Sequence, residues 1–263
     1  MEAMRAKAGV TIAIPNWNHE VFLPRSIGSA LRALEFLRAE GWAGEVLVID
    51  EASRDGSSTL LRQLEALYFK DGLRCLSFGS TENIATTRNA AAEHARYRYL
   101  AFVDADNELI PENLSLFVRT LEQTRAAVAY GNLLLRSTTA DYAHFMHSCE
   151  VIQKRLFRGG NYVDMCSVWD RFQLLDSGGF DSSLSFLEDF EMWLHLATNG
   201  RKIVFVPAIL GYYYLLPTSS STDRSRQDAV ESRLLRVFNQ AKVRELLPLN
   251  THHLRYHPEL GYV

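Results

Sequence analysis

The first hundred residues alternate short unbroken apolar runs with longer stretches whose apolar positions recur every third or fourth residue. The runs Val10–Ile14, Val46–Ile49, Leu73–Phe78 and Tyr99–Val103 read as strands. Being continuous rather than alternating, they imply a parallel sheet covered on both faces. Between them, Leu23, Ile27, Leu31 and Leu34 recur at helical spacing, so 23–38 reads as a helix with Pro24 in its first turn. Ser57–Tyr68 reads as a second helix, started by serine caps, and Asn83–Tyr97 as a third, rich in alanine. Strand and helix in this succession predict βαβα units.

The second half is more mixed. A helix is expected from Pro111, a strand at Ala126–Tyr130, and a short helix at Phe172–Asp176 that ends in Gly178-Gly179. Glu188 to Ala197 reads as a helix closed by Gly200, and Ile203–Val206 as a strand followed by Tyr212-Tyr213-Tyr214. A last amphipathic helix is expected over Asp228–Leu246.

Composition narrows the class. With 263 residues, 47% hydrophobic and 22% charged, the chain can bury a sizeable core and is neither disordered nor a disulfide mini-protein. A net charge of −3 argues against nucleic acid as a partner. Cys75, Cys149 and Cys166 lie far apart with no CxxC, as reduced core thiols do. The most apolar stretch, Ile203–Leu216, is too short to span a membrane and is broken by Pro207 and Gly211. The start of the chain lacks the apolar stretch of a signal peptide. A cytoplasmic location follows as the expectation, compatible with loose association at the inner face of a membrane.

Ligands of open parallel sheets collect at the C-terminal ends of the strands. Three such ends carry polar clusters: Pro15-Asn16-Trp17-Asn18, Asp50-Glu51-Ala52-Ser53-Arg54-Asp55-Gly56 and Asp104-Ala105-Asp106-Asn107. Each alone reads equally as a polar turn or cap. Asp104 and Asp106, spaced by one small residue, offer hard oxygens suited to Mg²⁺ or Mn²⁺ together with a diphosphate.

Taken with Asn83-Ile84-Ala85-Thr86-Thr87-Arg88-Asn89, Gly178-Gly179-Phe180-Asp181 and Glu188-Asp189-Phe190-Glu191-Met192-Trp193, these clusters resemble the ordered motifs of family-2 glycosyltransferases. The resemblance runs from Val10 to about Tyr214. It implies an α/β chain of the GT-A fold, a Rossmann-like, mostly parallel central sheet with helices on both faces. It also implies inverting transfer from a nucleotide-sugar, expected to be a UDP-sugar, to a saccharide or lipid-linked acceptor, with a divalent cation (Mn²⁺ or Mg²⁺). On this reading 1–263 is one glycosyltransferase domain. Its nucleotide-binding half covers about 10–107 and its acceptor and catalytic half about 108–226, with a C-terminal helix and tail over 227–263.

The resemblance also assigns roles. Asp50 contacts the base, walled by Pro15 and Trp17; Arg88 reaches base or phosphates; Asp104 serves ribose or metal; and Asp106 is the metal ligand. Of the acidic pair Glu188 and Asp189, Asp189 is the general base. Without the resemblance the pair reads as a helix cap. Three departures stand out: Glu51 and Ala52 replace Asp and Gly, Ala85 replaces Gly, and Tyr213-Tyr214 replaces a Tyr-Arg pair. A mobile loop at Thr218–Thr222 with Arg224 and Arg226, and metal ligation by His252, His253 or His257, are weaker expectations that compete with a solvated loop and an exposed tail.

Three rivals remain. A nucleotidyltransferase needs a Gly-rich phosphate loop after the first strand, and Ile14-Pro15-Asn16-Trp17 offers none. A glycoside hydrolase gives no reason for the Asp-x-Asp beside Asp50. A catalytically silent nucleotide-sugar binder or regulatory protein is opposed by Asp106 and Asp189.

Overall fold

Seven elements alternate without exception at the start of the computed structural model. They are β1 (Lys7–Asn16), α1 (Leu23–Ala39), β2 (Ala43–Glu51), α2 (Ser57–Tyr68), β3 (Leu73–Phe78), α3 (Ile84–His94) and β4 (Tyr97–Phe102). The structure describes residues 7–79, 83–137, 143–146, 151, 156, 161–184, 186–216, 256–257 and 261–262. The expected helix Asp228–Leu246, the stretch Thr218–Thr222 with Arg224 and Arg226, and His252 and His253 lie outside them. His257 falls in β10 (Tyr256–His257), which pairs with β11 (Gly261–Tyr262). Among the described residues no helix is long and apolar enough to cross a membrane.

β3, β2, β1 and β4 lie side by side and parallel. Their residues alternate between two cores. Val10, Ile12, Ile14, Val46 and Val48 face Leu23, Ile27, Leu34 and Leu37 of α1 and Leu61 of α2. Ala13, Leu47 and Ile49 face the opposite core with Ala85, Ala91 and Ala92 of α3. Burial on both faces is what makes the runs apolar throughout. α3 is shorter than its alanine-rich pattern suggests. The Asn83 side chain caps it by accepting from Thr86 N, and Ala95 is already extended.

Past β4 come β5 (Glu108–Leu109), α4 (Leu114–Thr124), β6 (Val128–Ser137), β7 (Ala143–Met146), β8 (Ser167–Asp170), α5 (Arg171–Asp176), α6 (Glu188–Thr198) and β9 (Ile203–Leu215). The helix expected from Pro111 starts as a 3₁₀ turn, Pro111–Asn113, before α4. β8 inserts antiparallel between β4 and β6, and β6 pairs parallel with β9. The sheet runs β3-β2-β1-β4-β8-β6-β9-β5, with β7 beside β6. It is mostly parallel, its antiparallel pairings made by β5, β7 and β8.

Those three short strands left no pattern to read. They span two to four residues, too few to show a period, and form only against partners far along the chain. Ile203–Val206 and Tyr212–Tyr214 join in one strand despite Pro207. The register with β6 jumps from Tyr130–Phe205 to Asn132–Ile209, so the proline, which lacks an N–H, sits in a bulge.

The centre of the second core is Trp169 on β8, fully buried. Its ring stacks on Trp193 of α6 at 4.9 Å and meets Phe180 edge-on at 5.7 Å. Its indole N–H donates to Ser167 Oγ at 2.8 Å. Trp169→Ala is expected to cost about 3–5 kcal/mol of stability in urea unfolding; a loss below about 1 kcal/mol would contradict this role.

Candidate active site

Parallel pairing sets Asn16 beside Asp50, at the ends of β1 and β2. Asp50 is 1% exposed. Its Oδ1 accepts from Asn16 Nδ2 and Ser53 Oγ, both at 2.6 Å, and its Oδ2 accepts from Ser58 Oγ at 3.1 Å. The turns beyond are cross-tied. Asn18 N donates to Ser53 Oγ, Arg54 N to Asn18 Oδ1, Glu20 N to Asp55 Oδ2 and Gly56 N to Glu20 Oε2. Asn18 and Ala52 take left-handed φ values of 57° and 49°. Ala52 thus holds, as an alanine, a turn where glycine is the easier residue. At Gly56 a Cβ would push aside the Glu20 carboxylate that accepts from the Gly56 N–H. The result is a rigid lip on which Trp17 is 55% exposed, with Pro15 buried behind it.

α3 carries three ties on its site-facing side. Asn83 Nδ2 donates to Ser182 O at 2.7 Å. Asn89 Nδ2 donates to Phe180 O, and Phe180 N to Asn89 Oδ1, each at 2.8 Å. Gly179, at φ 73°, would place any Cβ 2.6 Å from Asn89 Oδ1. Between the asparagines, Arg88 is 5% exposed and points inward. Its Nη1 donates to Glu188 Oε1 and its Nη2 to Asp104 Oδ1 at 3.2 Å, so it is bound to two cleft carboxylates rather than projecting toward a ligand. Burial opposes its charge, but Glu188, Asp104 and Asp189 outweigh that and raise its pKa.

Asp104 and Asp106 follow β4 in a turn braced at two points by α1. Ser26 Oγ donates to Asp104 O, and Arg25 Nη2 to Asp106 O at 2.5 Å. The Arg25 guanidinium lies 3.6 Å over the Tyr214 ring. Where the resemblance expects an arginine after Tyr213, the chain has Tyr214, whose ring carries the Arg25 guanidinium from α1. Burial, then the charge of Asp104, push the Asp106 carboxyl up to about 6, against His19 and Arg25. Among the described residues no three acid, His or Cys side chains converge as a complete metal-ligand set. Two repelling carboxylates with a diphosphate do suit Mg²⁺ or Mn²⁺, which keep few protein ligands.

On α6 neither acidic residue is the N-cap, although Asp189 serves one first-turn N–H, that of Phe190. The N-cap is Leu187, at φ 60° with no side-chain cap bond. Glu188 turns to Arg88, while Asp189 Oδ1 accepts from Phe190 N and its Oδ2 from Asn161 Nδ2 at 2.7 Å. Burial pushes Glu188 up to about 7, with Arg88 opposing and Asp189 and Asp104 adding. Burial also raises Asp189, against Arg88, the Asn161 amide and Phe190 N–H.

Asn161 and Asp164 escaped the sequence reading. Asp164 Oδ1 accepts from Cys166 N at 2.7 Å. Burial, then the charges of Asp104 and Asp189, push its carboxyl up to about 7. No local pattern marks either residue; β8 carries them to the cleft by inserting beside β4. Burial raises the thiol of Cys166 beside them well above its usual value and pushes Cys75 up to about 12, which disfavours the thiolate at both.

A mostly parallel central sheet flanked by helices is the fold of GT-A glycosyltransferases. The family model "Glycosyl transferase family 2" matches residues 11–172. The chain belongs to that family and is a glycosyltransferase. It is 24% identical over 240 residues to the Escherichia coli UDP-Glc:alpha-D-GlcNAc-diphosphoundecaprenol beta-1,3-glucosyltransferase WfgD, covering 87% of this chain and 89% of the relative. Its fold is similar to S. aureus TarS 1-349 in complex with UDP-GlcNAc (TM-score 0.69, 17% identity, 89% of this chain and 67% of that one). It is also similar to the mannosyltransferase PcManGT from Pyrobaculum calidifontis in complex with GDP-Man and Mn2+ (TM-score 0.62, 16% identity, 92% and 66%).

The raised carboxyls make stability depend on pH. Asp106, Asp164, Glu188 and Glu191 hold protons up to about 6 to 7 when folded, and release them near 3.8 to 4.5 when unfolded. The folded chain binds more protons in that window, so these groups lose stability as pH rises through it. His195, lowered by burial, acts in the opposite sense. Thermal melts should show the midpoint falling between pH 5 and 7, and Asp164→Asn should flatten the fall. An unchanged slope in that variant would remove Asp164 from the account.

Proposed function

We propose that this glycosyltransferase moves the sugar of a UDP-sugar onto a hydroxyl of a lipid-linked or saccharide acceptor. The setting is surface polysaccharide or glycolipid assembly at the inner face of the membrane. The observation that carries the reading is the gathering of Asp104, Glu188 and Asp189 around the buried Arg88 at the end of β4 and the start of α6. The donor and acceptor classes rest on what WfgD is named for and on the UDP-GlcNAc held by TarS.

In this reading the lip made by Pro15, Trp17 and Asp50 receives the nucleotide base. Trp17 offers an exposed ring to stack on, and Asp50 sets the turn through Asn16, Ser53 and Ser58. Asp106 and Asp104 would hold a divalent cation, Mn²⁺ or Mg²⁺, which would offset the charge that grows on the leaving diphosphate. Arg88 fixes Asp104 and Glu188 relative to one another. Asp189, its proton affinity raised by burial, takes the proton of the acceptor hydroxyl as that oxygen attacks the anomeric carbon. One displacement inverts that carbon.

The test begins with thermal shift by UDP, GDP, TDP and CDP with and without Mn²⁺. A UDP shift lost in Asp106→Ala supports the donor site, UDP binding without transfer supports a silent binder, and a shift by no nucleotide removes the donor site. Transfer from UDP-glucose, UDP-GlcNAc and UDP-galactose to a short-chain α-GlcNAc-diphosphate lipid then reads the chemistry. Asp189→Asn should lower it about a thousandfold with UDP binding intact; retained transfer would strike Asp189 from the role.

A further inference from the structure

The segment leading into β8 grips α6 at two points. Asn161 Nδ2 donates to Asp189 Oδ2 at 2.7 Å, and one helical turn on, Trp193 Nε1 donates to Val163 O at 3.0 Å. The amide of Asn161 is itself oriented. Its Oδ1 faces Val163 N at 3.4 Å, which leaves the NH₂ group toward the carboxylate. Trp193 is fully buried and stacked on Trp169 of β8, so the grip is anchored in the second core rather than on the surface.

We propose that Asn161 is a positioning residue for the proton acceptor of the transfer reaction: it holds the Asp189 carboxylate in one orientation and in its ionised form. The inference rests on Asp189 being that acceptor. Phe190 N–H takes one lone pair of Oδ1 and the Asn161 amide one of Oδ2. A carboxylate offers about four such positions, so each oxygen keeps one for an incoming hydroxyl. A donor aimed at a carboxylate favours the charged form.

The need for it follows from the other charges facing Asp189. Arg88 on α3 favours the carboxylate, whereas Asp104 after β4, Glu188 on the same helix and Asp164 on the same segment oppose it. Arg88 is bound to Glu188 and Asp104. The Asn161 amide is the neutral donor that meets Asp189 directly, and it does so without adding a charge to be neutralised.

Two measurements test this in Asn161→Ala and Asn161→Asp. Carboxyl ¹³C NMR of aspartate-labelled protein, with the Asp189 signal assigned by its loss in Asp189→Asn, reads the titration without any acceptor. The midpoint should rise in Asn161→Ala and rise further in Asn161→Asp, whose added charge repels the carboxylate. In the transfer assay, Asn161→Ala should fall about tenfold at pH 6 relative to pH 9, with the KM for the UDP-sugar unchanged. An unmoved Asp189 midpoint overturns the proposal. So does a loss of transfer equal at all pH values and matched by weaker UDP binding, which would mark Asn161 as merely structural. If Asp189→Asn retains transfer while the midpoint still moves, it is the assignment of Asp189 as base that fails.

Discussion

The buried guanidinium of Arg88 is the contact on which the cleft depends. It joins three elements distant in sequence: α3, which carries it; the turn after β4, through Asp104; and the first turn of α6, through Glu188. Glu188 is costly to hold out of water and Asp104 only partly so, and the cost is tolerable because one planar cation faces both. Removing one partner of such a buried pair typically costs about 3–5 kcal/mol, since it strands the other. Burial, reinforced by the neighbouring acids that outnumber this cation, keeps protons on Asp106, Asp164 and Glu188 above the usual carboxylate range. An acidic surplus of this kind suits a site that receives a cation and a phosphate ester together.

Around that centre the fold separates rigid from adjustable parts. The lip formed by the turns after β1 and β2 is cross-tied by side-chain-to-backbone bonds among Asn18, Glu20, Ser53 and Asp55. The opposite wall is held by asparagines. Asn83 and Asn89 bind the backbone of 180–182, and Asn161 binds Asp189. An asparagine amide donates and accepts at one position and adds no charge, which suits the rim of a site already crowded with carboxylates. Arg25, stacked on Tyr214 and bonded to Asp106 O, braces the Asp-x-Asp turn from α1.

Much of the candidate site was legible from residues alone, because its members lie in short segments directly after strands with strong apolar runs. Asp50, Asp104 and Asp106 belong to this group, and parallel pairing brings such ends to one edge of the sheet. Glu188 and Asp189 were legible as an acidic pair but not as to purpose, since a helix start attracts carboxylates for reasons of its own. In space Arg88 draws Glu188 away from the helix start, while Asp189 accepts from both Phe190 N and the Asn161 amide. Asn161 and Asp164 were not legible. Their neighbours show no periodicity, and their place depends on a four-residue strand whose partners are Tyr99–Ala101 and Val128–Tyr130.

The sequence by itself determined the α/β class, the succession of elements through β4, and the chemistry available at three strand ends. Those features are local: apolar runs, helical spacing, and polar residues where a strand stops. Only the tertiary structure decided that β8 runs antiparallel between β4 and β6, that Pro207 sits in a bulge, and that the arginine over Tyr214 comes from α1. It alone decided which carboxylates share Arg88 and which faces Asn161. The reason is physical. Pairing and burial are set by partners tens of residues away, and the proton affinity of a carboxyl by how much water and which charges those partners leave around it.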